Sequence, residues 1–317
     1  MKKPYNLLVI LGVTAGGKTG LAVQVATRFA GEIISADSRQ VYRGMDLGTG
    51  KDLHEYGDIP YHLIDIAEPG SEYNVFQFQR DCFERIESIW QRQTLPIICG
   101  GTGMYLDAVL SRYRLVAVPR NQPLRDRLEL FSDNALREEL LQLKPEQHNR
   151  TDLEDRDRLI RAIEIATGEE DVADSLPPLP VISPLVFGIK WPREVLRQRI
   201  AVRLRQRFEA GMIAEVQQLH DSGVSWEKLE FYGLEYRLIA QHLQGQLNKN
   251  DLAQKLRSAI GQFAKRQETF FRRMEKRGVE INWLDGEGAV FEELGQTLKK
   301  VELKRTPFPQ TISQTFP

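Results

Sequence analysis

Cysteine is almost absent from this chain: Cys82 and Cys99 are the only two among 317 residues. Two thiols cannot build a disulfide framework and lack the paired spacing of a zinc site, so a reducing cytoplasm is the expected setting and neither is assigned a role. No run approaches the roughly 20 apolar residues that a membrane-spanning helix needs, so no membrane partner is expected. Residues 1–12 place Lys2 and Lys3 ahead of an apolar stretch, superficially like a secretion signal. That stretch leads straight into a phosphate-loop motif which cleavage would destroy, so it is read as part of the fold. An excess of charge of one sign is missing too: 43 Lys and Arg face 44 Asp and Glu, for a net charge of -1. No global field gathers a nucleic acid, and any such partner must be held by local patches. No internal repeat is present.

What is there suffices for a sizeable core: 41% of the residues are hydrophobic, and the length permits one large or two moderate domains. Residues 7–11 form a short, continuous apolar run ending at Gly12, as expected for a strand buried on both faces of a parallel sheet. Residues 32–35, 96–99 and 185–189 read as further buried strands. Between the second and third, residues 75–91 read as an amphipathic helix with Phe76, Arg80, Phe83, Ile86 and Trp90 on one side, its aromatics in the core. The alternation predicts an α/β fold. From residue 115 the texture changes to charged helices separated by prolines, ending in a proline-rich loop over residues 174–180, and strand-like residues then return. Single long helices are expected over residues 192–222 and 251–278. The predicted organisation is a phosphate-loop core with a parallel sheet flanked by helices, discontinuous over 1–114 and 183–303, a helical insertion over 115–182, and a disordered tail over 304–317.

Gly12-Val13-Thr14-Ala15-Gly16-Gly17-Lys18-Thr19 fits the eight-position phosphate-loop pattern and sits between a predicted strand and a predicted helix. Glycines let the chain wrap so that backbone N–H groups point inward, the helix N-terminus adds positive potential, and Lys18 adds a full charge. Thr19 is then placed to ligate Mg2+. The loop reports a polyphosphate, as in nucleotide-binding and ATP-binding proteins, but not which one. A triphosphate hydrolase would normally show an apolar strand ending in aspartate. Here residues 96–99 run into Gly100-Gly101-Thr102-Gly103 instead, which favours binding a diphosphate without hydrolysis.

Several separated segments, in order, resemble those of the tRNA dimethylallyltransferases, also called tRNA isopentenyltransferases. They are residues 12–19, Ile34-Ser35-Ala36-Asp37-Ser38-Arg39-Gln40-Val41-Tyr42, Gly44-Met45-Asp46-Leu47-Gly48-Thr49 and Tyr61-His62-Leu63-Ile64-Asp65. Later come Gly100-Gly101-Thr102-Gly103-Met104-Tyr105, Arg158-Leu159-Ile160-Arg161-Ala162-Ile163-Glu164 and Phe263-Ala264-Lys265-Arg266-Gln267. The resemblance spans roughly residues 5–285. It implies a prenyltransferase in tRNA processing, in which the phosphate loop holds the diphosphate of dimethylallyl diphosphate, with Mg2+. Asp37 would accept a proton from the exocyclic amine of the adenosine 3′ of the anticodon. Thr14 and Thr102 would contact the reacting groups, and Arg203 would clamp the diphosphate, a task that suits an arginine fork. The residues alone leave Arg203 open between this role and a solvated helix face crowded with Arg197, Arg205 and Arg207, and leave Asp37 open to a helix-capping role.

The same resemblance implies that tRNA, through its anticodon stem-loop, is met by Asp37, Ser38, Arg39, Gln40, Thr102, Asp157, Arg158, Leu159, Ile160 and Arg161, with the target base extruded into a channel between core and insertion. Arg158 and Arg161 are three apart and share a side of a helix, where pairing to local acids is the alternative; both are expected to be buried. Charge is segregated to match: residues 190–210 hold seven basic and two acidic residues, residues 255–277 eight and two, whereas residues 151–175 hold nine acidic and three basic. The pattern departs from the family's at residues 149–157, where a His-Pro-Asn-Asp type segment is usual, and Asp157 replaces a frequent glutamine. Ile260-Gly261-Gln262 stands for a typical Thr-Arg-Gln, and Gly48-Thr49-Gly50-Lys51-Asp52 has glycine where alanine is common. These changes leave the donor chemistry intact and bear on the acceptor, so prenylation of a free adenine nucleotide is a second reading and a phosphate-loop kinase a third. A monomer is expected.

Overall fold

The structure, a computed structural model, describes residues 3–145, 155–169 and 178–307. Two compact units form, Met1–Tyr113 with Pro180–Pro317, and Arg114–Leu179. In the first, β1 (Pro4–Tyr5), β2 (Leu7–Gly12), α1 (Lys18–Phe29), β3 (Gly31–Ala36), β4 (Tyr61–His62), α2 (Val75–Gln91), β5 (Leu95–Gly100) and α3 (Gly103–Leu110) come before the second unit. After it come β6 (Pro184–Lys190), α7 (Arg193–Glu209), α8 (Met212–Asp221), α9 (Trp226–Phe231), α10 (Leu234–Leu243), α11 (Lys249–Lys276), β7 (Ile281–Asp285), α12 (Val290–Leu298) and β8 (Glu302–Leu303). The second unit carries α4 (Gln122–Leu128), α5 (Asp133–Leu143) and α6 (Arg156–Glu169).

The main sheet has six strands in the order β4-β3-β5-β2-β6-β7, every pair parallel. Its centre is dry: Leu7, Leu8, Val9, Ile10 and Leu11 are all fully buried. Alternation along the strand sends Leu8 and Ile10 into a cluster with Leu21 and Val25 of α1 and Leu294 and Leu298 of α12, so the remaining three turn to the opposite face. Each such side chain contributes about 2 kcal/mol of burial. The chain leaves β2 toward β3 on one side and reaches β6 on the other, so the strand order reverses at the β5/β2 boundary, where α/β sheets form a crevice at the carboxyl ends of their strands. The fold class predicted from the sequence is the one found.

Helix α2 has the predicted limits, set by a capping box: the Gln77 N–H donates to Asn74 Oδ1 and the Asn74 N–H donates to Gln77 Oε1, both at 3.0 Å. Its buried face is Phe78, Cys82, Phe83, Ile86, Ile89 and Trp90; Arg80, predicted on that face, is exposed. Trp90 is core, and its indole N–H donates to the Asn6 carbonyl at 3.0 Å. The helix expected over 192–222 is instead two, broken at Gly211, whose φ of 100° only glycine adopts without strain. Residues 304–306, expected in the tail, are tied to the core: the Lys304 N–H donates to the Tyr5 carbonyl at 2.7 Å and Arg305 donates to the Phe29 carbonyl at 2.8 Å. The rest of the expected tail from residue 308, most of the proline-rich loop and residues 149–154 lie outside the described residues.

Among its described residues, the second unit has its own core of Leu128, Leu136, Leu140, Leu159, Ile160, Ile163 and Ala166. Leu159 and Ile160, expected at the tRNA, have side chains inside this core, because so small a unit has few apolar residues to fill it. Glu164 is buried beside them. Arg125 Nη2 donates to its Oε2 at 3.0 Å, Arg161 Nη1 donates to the same oxygen at 2.5 Å, and the Asn121 N–H donates to Oε1. Arg161 also donates to the Val118 carbonyl at 2.8 Å, so this guanidinium, expected at the nucleic acid, is engaged within the unit. Arg158, expected to be buried, is exposed, as is Asp157.

Burial alone would raise the pKa of Glu164, but its hydrogen bonds from Arg125, Asn121 and Arg161 outweigh that and hold it down at about 2. A carboxylate with a depressed folded-state pKa stabilises above its ordinary value near 4.5 and loses that contribution as pH falls toward 2. The contribution is on the order of 3 kcal/mol. Glu164→Gln is therefore expected to lower the amide-exchange protection factors across α6 at pH 7 and to remove most of the dependence of those protection factors on pH between 5 and 2. Protection in the variant as high and as pH-dependent as in the native chain would contradict this role.

Candidate active site

The phosphate loop follows β2 as a tight left-handed wrap, with φ of 58° at Ala15 and 82° at Gly17. A side chain at Gly16 would put its Cβ 2.9 Å from the Val13 carbonyl oxygen, so the turn tolerates none there. Two of its carbonyls are held: the Trp191 indole N–H donates to Gly16 O at 3.0 Å and Arg199 Nε donates to Ala15 O at 2.9 Å. Arg199 in turn lies over the Trp191 ring, 4.1 Å from its centroid. Within the loop the Gly16 N–H donates to the Val13 carbonyl at 3.1 Å, and the first turn of α1 adds N–H groups that no helix can pair internally. Lys18 Nζ donates to the Val13 carbonyl at 2.8 Å. Burial pushes the Lys18 pKa down; Arg203 adds to this, whereas Cys99 and Asp37 oppose it. Cys99 itself is pushed up to about 12 by burial and stays an inert thiol.

At the same sheet edge, the ends of β3 and β5 converge. Gly100 pairs with both Ala36 and Leu11, and a Cβ at Gly100 would lie 2.3 Å from the Ala36 carbonyl oxygen. The Thr102 N–H donates to that oxygen at 3.2 Å, and the Ser38 N–H donates to Thr102 Oγ1 at 3.0 Å. Asp37, directly after β3, accepts from the Arg39 N–H at 2.9 Å, a turn that fixes one carboxylate oxygen and leaves the other open. No α-helix begins here, so the capping alternative falls away. Arg39 donates to the Phe231 carbonyl at 3.4 Å. Gln40 is occupied at both ends, accepting from Ser35 Oγ at 2.9 Å and donating to the Gly50 carbonyl at 3.1 Å.

A cavity of about 980 Å³ opens beside the loop, with Lys18, Thr19, Lys51, Arg199, Arg203 and Arg207 on its wall. Of the residues predicted from the sequence, this wall gathers 15–19 and Arg203; Thr14, Asp37 and Thr102 stand at the neighbouring strand ends. Arg203 forms an ion pair with Asp52 and is not a solvated helix face. Among the described residues, no group of three or more His, Cys, Asp or Glu is arranged to hold a metal ion.

Sequence reasoning missed the residues that hold the site in shape. Gln267 of α11, quoted within a motif but given no role, accepts from the Thr14 N–H at 2.8 Å and donates to Gly101 O at 2.9 Å, bridging the loops after β2 and β5. Lys51 is fully buried, donating to the Tyr42 carbonyl at 2.7 Å, to Asp46 at 2.6 Å and to Asp65. Glu215 of α8 accepts from three consecutive N–H groups, Asp46 at 3.0 Å, Leu47 at 2.6 Å and Gly48 at 3.1 Å, and from Tyr236 Oη at 2.6 Å. Polar residues so distant in sequence carry no periodic signal, and only adjacency to a motif could have drawn attention to Gln267 and Lys51.

A glycine-rich loop between a buried strand and a helix, at the reversal point of a parallel sheet and ringed by cations, defines a phosphate-loop α/β protein. The family model described as IPP transferase matches residues 40–274. The tRNA dimethylallyltransferase 1 of Geotalea uraniireducens is 61% identical over 295 residues, 93% of this chain and 97% of that protein. The tRNA dimethylallyltransferase 2 of Syntrophotalea carbinolica is 62% identical over 283 residues, 89% and 95% of the two chains. The crystal structure of a tRNA isopentenylpyrophosphate transferase from Bacillus halodurans superposes with a TM-score of 0.67 at 31% identity, covering 94% of each chain. The chain belongs to the IPP transferase family, that of the tRNA dimethylallyltransferases.

Lys51→Met removes three hydrogen bonds from a buried ammonium and leaves two carboxylates facing each other. Both are partly exposed, which softens the loss to about 2 kcal/mol. The expected outcome is a lower urea midpoint by tryptophan fluorescence, with weaker binding of inorganic pyrophosphate because the wall around residues 46–55 loses its anchor. Unchanged stability would show that Lys51 does not hold this segment.

Proposed function

We propose that this enzyme transfers a dimethylallyl group from dimethylallyl diphosphate to the exocyclic amine of the adenosine 3′ of the anticodon in tRNA, releasing diphosphate. The observation that carries the reading is the convergence, at the carboxyl ends of β2, β3 and β5, of a cation-lined phosphate loop with a carboxylate at Asp37.

In the transfer the amine nitrogen bonds to the allylic carbon, the carbon–oxygen bond to diphosphate breaks, and the bonding pair leaves on oxygen. The loop N–H groups, Lys18 and Arg203 stabilise that developing charge, and Asp37 takes the proton lost by the amine. Thr14 and Thr102 bracket the reacting groups. Mg2+ prefers oxygen donors, keeps several waters and is held largely by substrate phosphates. The Thr19 hydroxyl at the cavity wall fits one such position, and the ion would add charge compensation at the diphosphate. The acceptor base must leave the anticodon-loop stack to meet Asp37. Ser38 and Arg39 at the same edge suit contact with the nucleotide, the exposed Arg158 and Asp157 suit contact elsewhere on the stem-loop, and the basic stretches over 190–210 and 255–277 suit its phosphates. Gln40 acts by shaping the edge. The reaction is assigned to the cytoplasm and to a monomer. Nothing favours a free adenine nucleotide as acceptor or transfer of a phosphoryl group from ATP.

The test is transfer of labelled donor to an anticodon stem-loop. Asp37→Asn keeps the oxygen that accepts from Arg39 but removes the base, and is expected to lower kcat about a hundredfold or more while pyrophosphate affinity is unchanged. Transfer to AMP in preference to the stem-loop, or cleavage of ATP with indifference to the isoprenoid, would overturn the assignment.

A further inference from the structure

Arg207 lies one helical turn beyond Arg203 on α7, and both face the cavity beside the phosphate loop. It is the deeper of the two, its side chain only 12% exposed against 31%. Its acceptors do not match its donors. Nε is buried with no hydrogen-bond partner, and Nη2 stands 4.0 Å from Asp52 Oδ2, beyond hydrogen-bond length. That carboxylate is already engaged by Arg203. Burial, and then the charge of Arg203, lower the Arg207 pKa to about 10, outweighing the opposing carboxylates of Asp52 and Glu235.

The backbone makes room for this costly arrangement. Residue 50 is a glycine at φ 67°, and a Cβ built there would fall 1.6 Å from Arg207 Nη2 and 2.8 Å from Arg203 Nη2. No other side chain at position 50 could coexist with both guanidiniums where they stand. Lys51, anchored to three acceptors, fixes the neighbouring backbone. A buried, under-satisfied cation beside a loop built for phosphate oxygens is explained if an anionic ligand completes it.

We propose that Arg207 is a second guanidinium for the diphosphate of the prenyl donor, admitted by Gly50, with Asp52 standing in for the diphosphate until it binds. This rests on the donor assignment made above. Arg203 and Arg207, four residues apart, then grip the diphosphate from one helix face while the loop N–H groups and Lys18 hold it from the other side. Arg203 exchanges its carboxylate for a ligand oxygen on binding.

Calorimetric titration with inorganic pyrophosphate and with dimethylallyl diphosphate, both in the presence of Mg2+, tests this together with steady-state transfer to a stem-loop. Arg207→Met is expected to weaken pyrophosphate binding about tenfold or more and to raise the KM for the donor but not that for the stem-loop. Arg205→Met, which removes an equal charge from the exposed side of the same helix, is expected to match the native chain in pyrophosphate affinity and in the KM for the donor. Gly50→Ala, which leaves the arginine in place but crowds it, is expected to weaken pyrophosphate comparably, with no further loss when combined with Arg207→Met; it also serves if Arg207→Met folds poorly. Native affinity for pyrophosphate in Arg207→Met, an equal loss in Arg205→Met, or a rise confined to the stem-loop KM overturns the proposal. A native chain that binds neither pyrophosphate nor the donor overturns the donor assignment itself.

Discussion

The fixing of two carbonyls, at Ala15 and Gly16, is the constraint on which the site depends. A polypeptide that exposes N–H groups to an anion must turn its C=O groups somewhere, and unpaired carbonyls at a partly buried turn would pull the loop back into an ordinary conformation. Trp191 and Arg199 supply the partners, and the contact of the guanidinium with the indole ring keeps both side chains in place. Trp191 directly follows β6, the strand next to β2, and Arg199 lies in α7, the helix after it. The second half of the chain thus holds the loop encoded in the first.

A second set of contacts organises the cavity's far wall. Residues 42–65 contain little regular structure, yet Lys51 draws Tyr42, Asp46 and Asp65 together, and Glu215 fills the concave run of N–H groups at residues 46–48. Glu215 can do so because the chain turns at Gly211 and α8 departs from the line of α7. A small backbone feature, one glycine in a left-handed conformation, therefore decides where a carboxylate sits and how a segment of the active-site wall is held.

Much of this architecture was legible beforehand. The buried strands announced themselves as apolar runs, since a strand covered on both faces has no polar side to show, and the phosphate loop has a spacing that few other structures require. The helix over residues 75–91 showed itself by apolar residues at helical spacing, and the structure gives it those limits. Less legible was β7, where Asn282 and Trp283 interrupt the apolar pattern at the sheet's outer edge and only Leu284 is well buried. Leu159, Ile160 and Arg161 lay in a stretch matched to a nucleic-acid contact. In the structure, however, they serve the core and the buried carboxylate of their own unit, because a helix of that length must supply both from the same few positions.

By itself, the order of residues determined the class of fold, the place of the phosphate loop and the chemistry that Lys18 and Thr19 can offer, because each is written in local spacing and side-chain type, whereas Asp37 was singled out only through the family resemblance. Only the tertiary structure decided that Gln267 bridges two strand ends, that Lys51 is a buried anchor, and that Gly50 leaves room for Arg207 beside Arg203. Those relations join residues up to 253 positions apart. They exist because the parallel sheet brings the carboxyl ends of its strands to one edge, a juxtaposition that no window of sequence contains.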